Sequence, residues 1–152
     1  MNERKLLEIE NAEVIFRNFS GEETDYNAAG SRNFAIKLAR DDAEALMNDG
    51  WNIKTWNPGE GEDPVYYLPV SIRFNPFPPK VYMIPGNGKP VMLDESTIGL
   101  LDDAEFENVD ISITPYNWQL KNGSSGIKAY VKEMYVTIRE SRFAQKYNVY
   151  GD

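Results

Sequence analysis

The stretch from Asn108 to Ile138, NVDISITPYNWQLKNGSSGIKAYVKEMYVTI, decides the fold. Two alternating segments meet there at the turn Lys121-Asn122-Gly123-Ser124-Ser125-Gly126, the pattern of a long hairpin. In a half-buried strand one parity enters the core and the other meets water, so Val109, Ile111 and Ile113 form one set while Asp110, Ser112, Thr114, Tyr116 and Trp118 form the other. The second set should be wet, yet it ends in two large rings. A flat ligand gives such rings a role, and a nucleic-acid base is the commonest flat ligand that an aromatic-bearing sheet binds without sequence preference. The competing reading is a bulge at Pro115 that flips the parity and sends both rings into the core.

Working outward, Leu7 to Phe19 reads as a first strand, bent or bulged near Asn11, because Val14 and Phe16 share one parity while Ile15, Arg17 and Phe19 share the other. A polar loop, Ser20 to Gly30, leads to a second strand, Ser31 to Leu38, with Phe34, Ile36 and Leu38 inward and Asn33, Ala35 and Lys37 outward. Asp41 to Asp49 is a short helix: acids open it, apolar residues follow at helical spacing, and Gly50 stops it. Trp51 to Trp56 is extended, and Asn57 to Pro64 is a loop rich in Pro, Gly and acids. Val65 to Phe74 is the third long strand. It turns Tyr66, Leu68, Val70, Ile72 and Phe74 to one face and Tyr67, Pro69, Ser71 and Arg73 to the other; Pro69, which has no N–H, points to an edge or a bulge. Lys80 to Ile84 resumes extended structure, and Asp94 to Thr97 can cap a short helix running through Asp103. Asn108 to Leu120 and Ile127 to Arg139 complete the set of principal strands, and 140–152 reads as a tail.

At 152 residues the chain has the size of one domain, taken here as 1–139, and no staple is needed to hold its core. Cysteine and histidine are both absent, which removes disulfides, thiolate zinc sites, thiol nucleophiles and the Ser/His/Asp constellation. The N-terminal residues carry charges where a signal segment would be apolar, so a soluble, intracellular protein without a membrane span is expected. The formal net charge of -8 argues against a polyanion binder driven by overall charge. Distribution matters more than the sum: acids dominate between Lys89 and Lys121, whereas Arg17, Arg32, Lys37, Arg73, Lys80, Lys121, Lys128 and Lys132 lie in or beside the expected strands. Asp94, Asp102, Asp103 and Asp110 are dense enough to raise metal-dependent catalysis, but they surround a short surface helix; no cofactor or metal is expected, and the chain is not read as an enzyme.

These elements describe an all-β fold with short helices: a five-stranded barrel of the oligonucleotide/oligosaccharide-binding (OB) kind, with a helical insertion between strands 2 and 3. A β-sandwich is the competing layout. The segments Val14-Ile15-Phe16-Arg17-Asn18-Phe19-Ser20-Gly21, Arg32-Asn33-Phe34-Ala35-Ile36-Lys37-Leu38, Gly50-Trp51-Asn52-Ile53-Lys54 and Gly126 to Val136 resemble those of bacteriophage single-stranded-DNA-binding proteins. The resemblance spans most of residues 7 to 139. It implies single-stranded DNA as partner, a role in phage DNA replication or recombination beside other proteins of those processes, residence in the host cytoplasm, and leaves homo-oligomers open. Proteins of this kind often end in an acidic recruiting tail. The closing residues here, Arg139-Glu140-Ser141-Arg142-Phe143 and later Tyr150-Gly151-Asp152, lack such a run, so recruitment through an acidic tail is expected only where a longer native chain supplies one. A protein-interaction or virion structural module on the same barrel is the alternative from another class.

The candidate base-stacking residues are Tyr116 and Trp118. Phe77 lies among prolines beside Arg73 and Lys80, a ring with flanking cations, or else a lid on the barrel end. Tyr67 and Arg73 share the outer face of strand 3, and Arg32 and Lys37 bracket strand 2 as phosphate contacts or ordinary surface charge. Trp56 leads into the loop at 57–64, where it stacks a base or seals the barrel, while Trp51 is expected to pack. Lys121 and Lys128 flank the hairpin turn, and Tyr26 sits in the polar loop between strands 1 and 2.

Overall fold

Strands β8 (Phe106–Gln119) and β9 (Ser125–Ile138) form the hairpin that the alternation demands, in a computed structural model that describes residues 6–25, 27–86 and 88–139. Tyr26 and the tail at 140–152 lie outside the described residues. Val109, Ile111 and Ile113 are buried, and the register runs unbroken from Ile113↔Val131 to Gln119↔Ser125, so Pro115 introduces no bulge and the parity holds to the strand end. The break comes in β9 instead. Ser112 pairs with Glu133 and Ile113 with Val131, leaving Lys132 as an extra residue; the inward set changes there from Ile127, Ala129 and Val131 to Met134, Val136 and Ile138.

The remaining elements are β1 (Leu7–Ile9), β2 (Glu13–Asn18), β3 (Arg32–Leu38), α1 (Arg40–Asn48), β4 (Lys54–Trp56), β5 (Val65–Ile72), β6 (Lys80–Ile84), β7 (Val91–Leu93) and a 3-10 helix at Ile98–Asp102. The hydrogen-bonded path is β1-β8-β9-β5-β3-β2, with β4 added to β5 and the β6–β7 pair added to β9. Its two ends, β1 and β2, are halves of the expected first strand. They part at Asn11, which takes φ 50 and donates its N–H to Asp110 Oδ1 at 2.9 Å, while Ala12 N–H reaches Val109 O at 2.7 Å. One bent segment thus pairs with β8 through its first half and with β3 through its second, and the chain bridges the gap in the path. Together with the parallel contact of β5 and β9, this is an OB-like barrel, all-β with short helices and with α1 inserted between β3 and β5.

Phe34, Ile36, Leu68, Val70 and Ile72 line the interior as their alternation requires, joined by Phe19, Val81, Ile98, Leu101 and Met134. Trp51 packs as expected, buried and bridged to Ile127. Two local expectations change. Ala35 has outward parity but is buried, held between Ile15 of β2 and Pro69 of β5. Pro69 itself is at neither an edge nor a bulge. It lies within the ladder to β3, and on its other side β5 passes from β4, at Val65–Tyr67, to β9, at Val70 and Ser71, so the residue without an N–H falls where partners change.

Candidate nucleic-acid interface

The outer face of β5 organises the surface. Tyr67, Pro69, Ser71 and Arg73 point away from the core while Leu68, Val70 and Ile72 fill it. Ser71 is in register with Tyr130 on one side and Asn33 on the other, and one strand further Tyr130 faces Thr114 and Lys128 faces Tyr116. These neighbours converge. The Arg73 guanidinium lies 5.4 Å and the Lys128 ammonium 5.3 Å from the Tyr130 ring centroid, and Tyr116 meets the same ring edge-on at 6.1 Å. Tyr116 is 57% exposed.

Two hollows open on either side of Arg73 and Tyr130. One is polar, walled by Gly30, Ser31, Arg32, Asn33, Ser71, Arg73 and Lys128. The other is mainly apolar, walled by Leu6, Pro76, Phe77, Pro78, Pro79, Tyr116 and Lys132. Phe77, at 87% exposure, stands almost free in solvent and closes no barrel end. The two hollows share Arg73, Asn75 and Tyr130 in their walls and together make a trough whose polar end holds Arg32, Lys128 and Glu95 and whose other end holds the rings of Phe77 and Tyr116, so that it offers stacking planes beside charge.

The model of the phage ssDNA-binding domain family matches residues 2–150 of the sequence. The chain belongs to this family. Among solved structures, the single-stranded DNA-binding protein from bacteriophage Enc34 in complex with ssDNA shares the fold, with TM-score 0.55 and 10% identity over 91% of this chain and 89% of that one. Another structure of the Enc34 protein gives TM-score 0.53 and 11% identity over 91% of this chain and 84% of that one. No curated protein matches the sequence.

In this family member the other expected residues are spread around the barrel. Arg32 flanks the polar hollow, but its Nη2 donates to Glu95 O at 3.3 Å, its guanidinium lies 5.7 Å from the Phe74 ring, and its buried Nε has no partner among the described residues. Lys37, Tyr67 and Trp56 gather at the opposite end of β5, where Lys37 pairs with Glu13 at 3.5 Å. Trp118 is half-buried on the outward face of β8, opposite Gly126. Lys121 is exposed on the hairpin turn, and Lys80 faces Glu133 across β6 and β9, lining neither hollow.

Three residues in these surroundings are not among the expected binding residues. Tyr130 could have been found, since it alternates outward with Lys128. Lys132 could not be assigned, because it is the extra residue of the β9 bulge. Phe16 shares the parity of Val14, and only its left-handed backbone, φ 53, turns it outward.

Proposed function

We propose that this chain is a non-catalytic, sequence-tolerant single-stranded-DNA-binding protein of phage DNA replication and recombination, working in the host cytoplasm. The observation that carries the reading is the convergence of Arg73, Lys128 and Tyr116 on the Tyr130 ring: on a molecule of net charge -8, cations and rings emerge together on the outer face of the barrel. A phage protein of the same fold has been solved with ssDNA bound, which supports the assignment. The non-catalytic reading draws on what the acids do. Asp94 accepts from Ser96 and Thr97, Asp102 from the N–H groups of Phe19 and Ser20, and Asp110 from that of Asn11, so these carboxylates serve backbone turns. The domain is taken as 1–139, with 140–152 as its tail.

Titration with labelled oligo-dT at low and moderate salt tests the reading. Binding is expected to quench tryptophan emission and to weaken with salt, each phosphate neutralised adding about 0.7 to the log–log slope. Unchanged emission and no bound oligonucleotide at micromolar protein would refute it.

A further inference from the structure

At the end of β5 away from Arg73, Tyr67 stands in register between Lys37 of β3 and Lys54 of β4. The Phe16 ring meets Tyr67 edge-on at 5.2 Å and Trp56 edge-on at 5.6 Å. Phe16 is 50% and Trp56 46% exposed, so the group of three rings opens to solvent. Phe16 reaches this place through an irregularity in the β2–β3 ladder between Ile15 and Asn18 and a φ of 53, a backbone region that a bulky residue rarely adopts. Strain of this kind persists where its surroundings enforce it, and it clusters at ligand sites. Here it lifts outward an apolar ring whose strand parity would otherwise follow Val14.

We propose that Phe16, Trp56 and Tyr67, with Lys37 and Lys54 beside them, form a second base-stacking station, separate from the one around Tyr130 and engaged by the same DNA strand. The inference rests on the ssDNA-binding reading above. Tyr67 and Arg73 share one face of an extended segment, and at ~3.3 Å per residue their separation is about 20 Å. Between them the outward residues of β5 are Pro69 and Ser71, which offer neither ring nor cation. A strand crossing this interval is gripped at its two ends and loosely held between them. At ~3.4 Å per stacked nucleotide the gap corresponds to about six nucleotides, fewer if the backbone is stretched.

The consequence is a dependence on length. An oligonucleotide of about four residues occupies one station or the other, whereas one of about twelve bridges both and gains affinity from the tethered second contact. Phe16→Gly is the discriminating variant, since glycine adopts positive φ without strain while the ring is removed. With the fold verified by thermal melting, the variant should bind the short oligo-dT with about a twofold loss at most, one of two alternative stations being gone. It should bind the long oligo-dT about tenfold more weakly. Trp56→Leu should behave alike, and Phe16→Tyr should restore the wild-type pattern. Wild-type affinity of Phe16→Gly for the long oligonucleotide would mean that the rings only pack on one another, and an equal loss for both lengths would mean a single station; either result overturns the proposal. Failure of the wild-type protein to bind either length would instead overturn the ssDNA-binding reading itself.

Discussion

The Trp118 indole lies across Gly126: a Cβ at that glycine would sit 2.8 Å from Cζ2 and 3.0 Å from Cε2 of the ring. The two residues are partners in the β8–β9 register, so the indole fills the space that a side chain on the facing strand would take. One face of Trp118 is therefore committed to the hairpin. Gly126→Ala should force the indole outward, lowering stability by about 1 kcal/mol and shifting tryptophan emission to the red. Thermal melting and emission spectra check this, and an unmoved emission maximum would show that the ring does not rest there.

Arg73 and Tyr130 are expected to act on oligo-dT binding in separable ways. Arg73→Ala removes a cation and should lower the salt slope of oligo-dT binding by about 0.7, the single-strand value for one phosphate, along with affinity. Tyr130→Ala removes the stacking plane and should weaken binding at every salt concentration while leaving the slope nearly unchanged. Arg73→Lys should keep the slope. A titration series across salt distinguishes these outcomes, and an unchanged slope in Arg73→Ala would place the Arg73 charge away from the DNA backbone.

The barrel was legible where alternation is strict. Val109, Ile111 and Ile113, like Leu68, Val70 and Ile72, announce their inward face by sequence alone, because a pleated strand has a period of two and nothing interrupts it there. The bend at Asn11 was legible too, since apolar residues fall on both parities of the segment, Val14 and Phe16 on one and Ile15 and Phe19 on the other. What stayed hidden depends on partners. The parity change at Lys132 exists because β9 carries one residue more than β8 at that point, and the tolerance of Pro69 follows from β5 changing partners beside it. Neither property belongs to a segment read alone. The exposed rings divide in the same way: Tyr116 sits on a regular strand whose outward parity is readable, whereas Phe16 is displayed by a left-handed backbone that periodicity does not encode.

Asp102 pins the loop that borders the polar hollow. Its carboxylate accepts from Phe19 N–H at 2.6 Å and Ser20 N–H at 2.9 Å, and Gly30 and Ser31, at the far end of that loop, line the hollow. Beside it the Arg17 guanidinium donates to the carbonyls of Leu101 and Ala104 and lies 3.7 Å from the Phe106 centroid. Burial pulls the Arg17 pKa below its ordinary value, and the nearby Asp102 charge opposes that shift. Asp102→Ala leaves two donors without their acceptor and should cost about 1–3 kcal/mol in urea unfolding. Affinity for oligo-dT should fall as the loop loosens, with the salt slope preserved, because no cation of the trough is removed. A wild-type unfolding midpoint would show that the carboxylate is dispensable to the loop.

Asp94 makes the turn ahead of the 3-10 helix sensitive to acid. Its Oδ1 accepts from Ser96 Oγ at 2.7 Å, Ser96 N–H at 2.9 Å and the Thr97 N–H and Oγ1 at 3.1 Å. Side-chain hydrogen bonds from Ser96 and then Thr97 hold this carboxyl below the ordinary carboxylate range. A group whose folded pKa is depressed contributes fully above its unfolded pKa, and the contribution disappears as pH falls through the folded value. Asp94→Ala should therefore melt below the wild type at neutral pH, and the gap between the two should narrow as pH drops through and below the ordinary carboxylate range. The adjacent Glu95 carbonyl receives Arg32 Nη2, so the same variant should also loosen Arg32 at the trough and weaken oligo-dT binding at neutral pH. Parallel melting curves from neutral to acid pH decide the point: a gap that stays constant would mean that the carboxylate charge does not hold the turn.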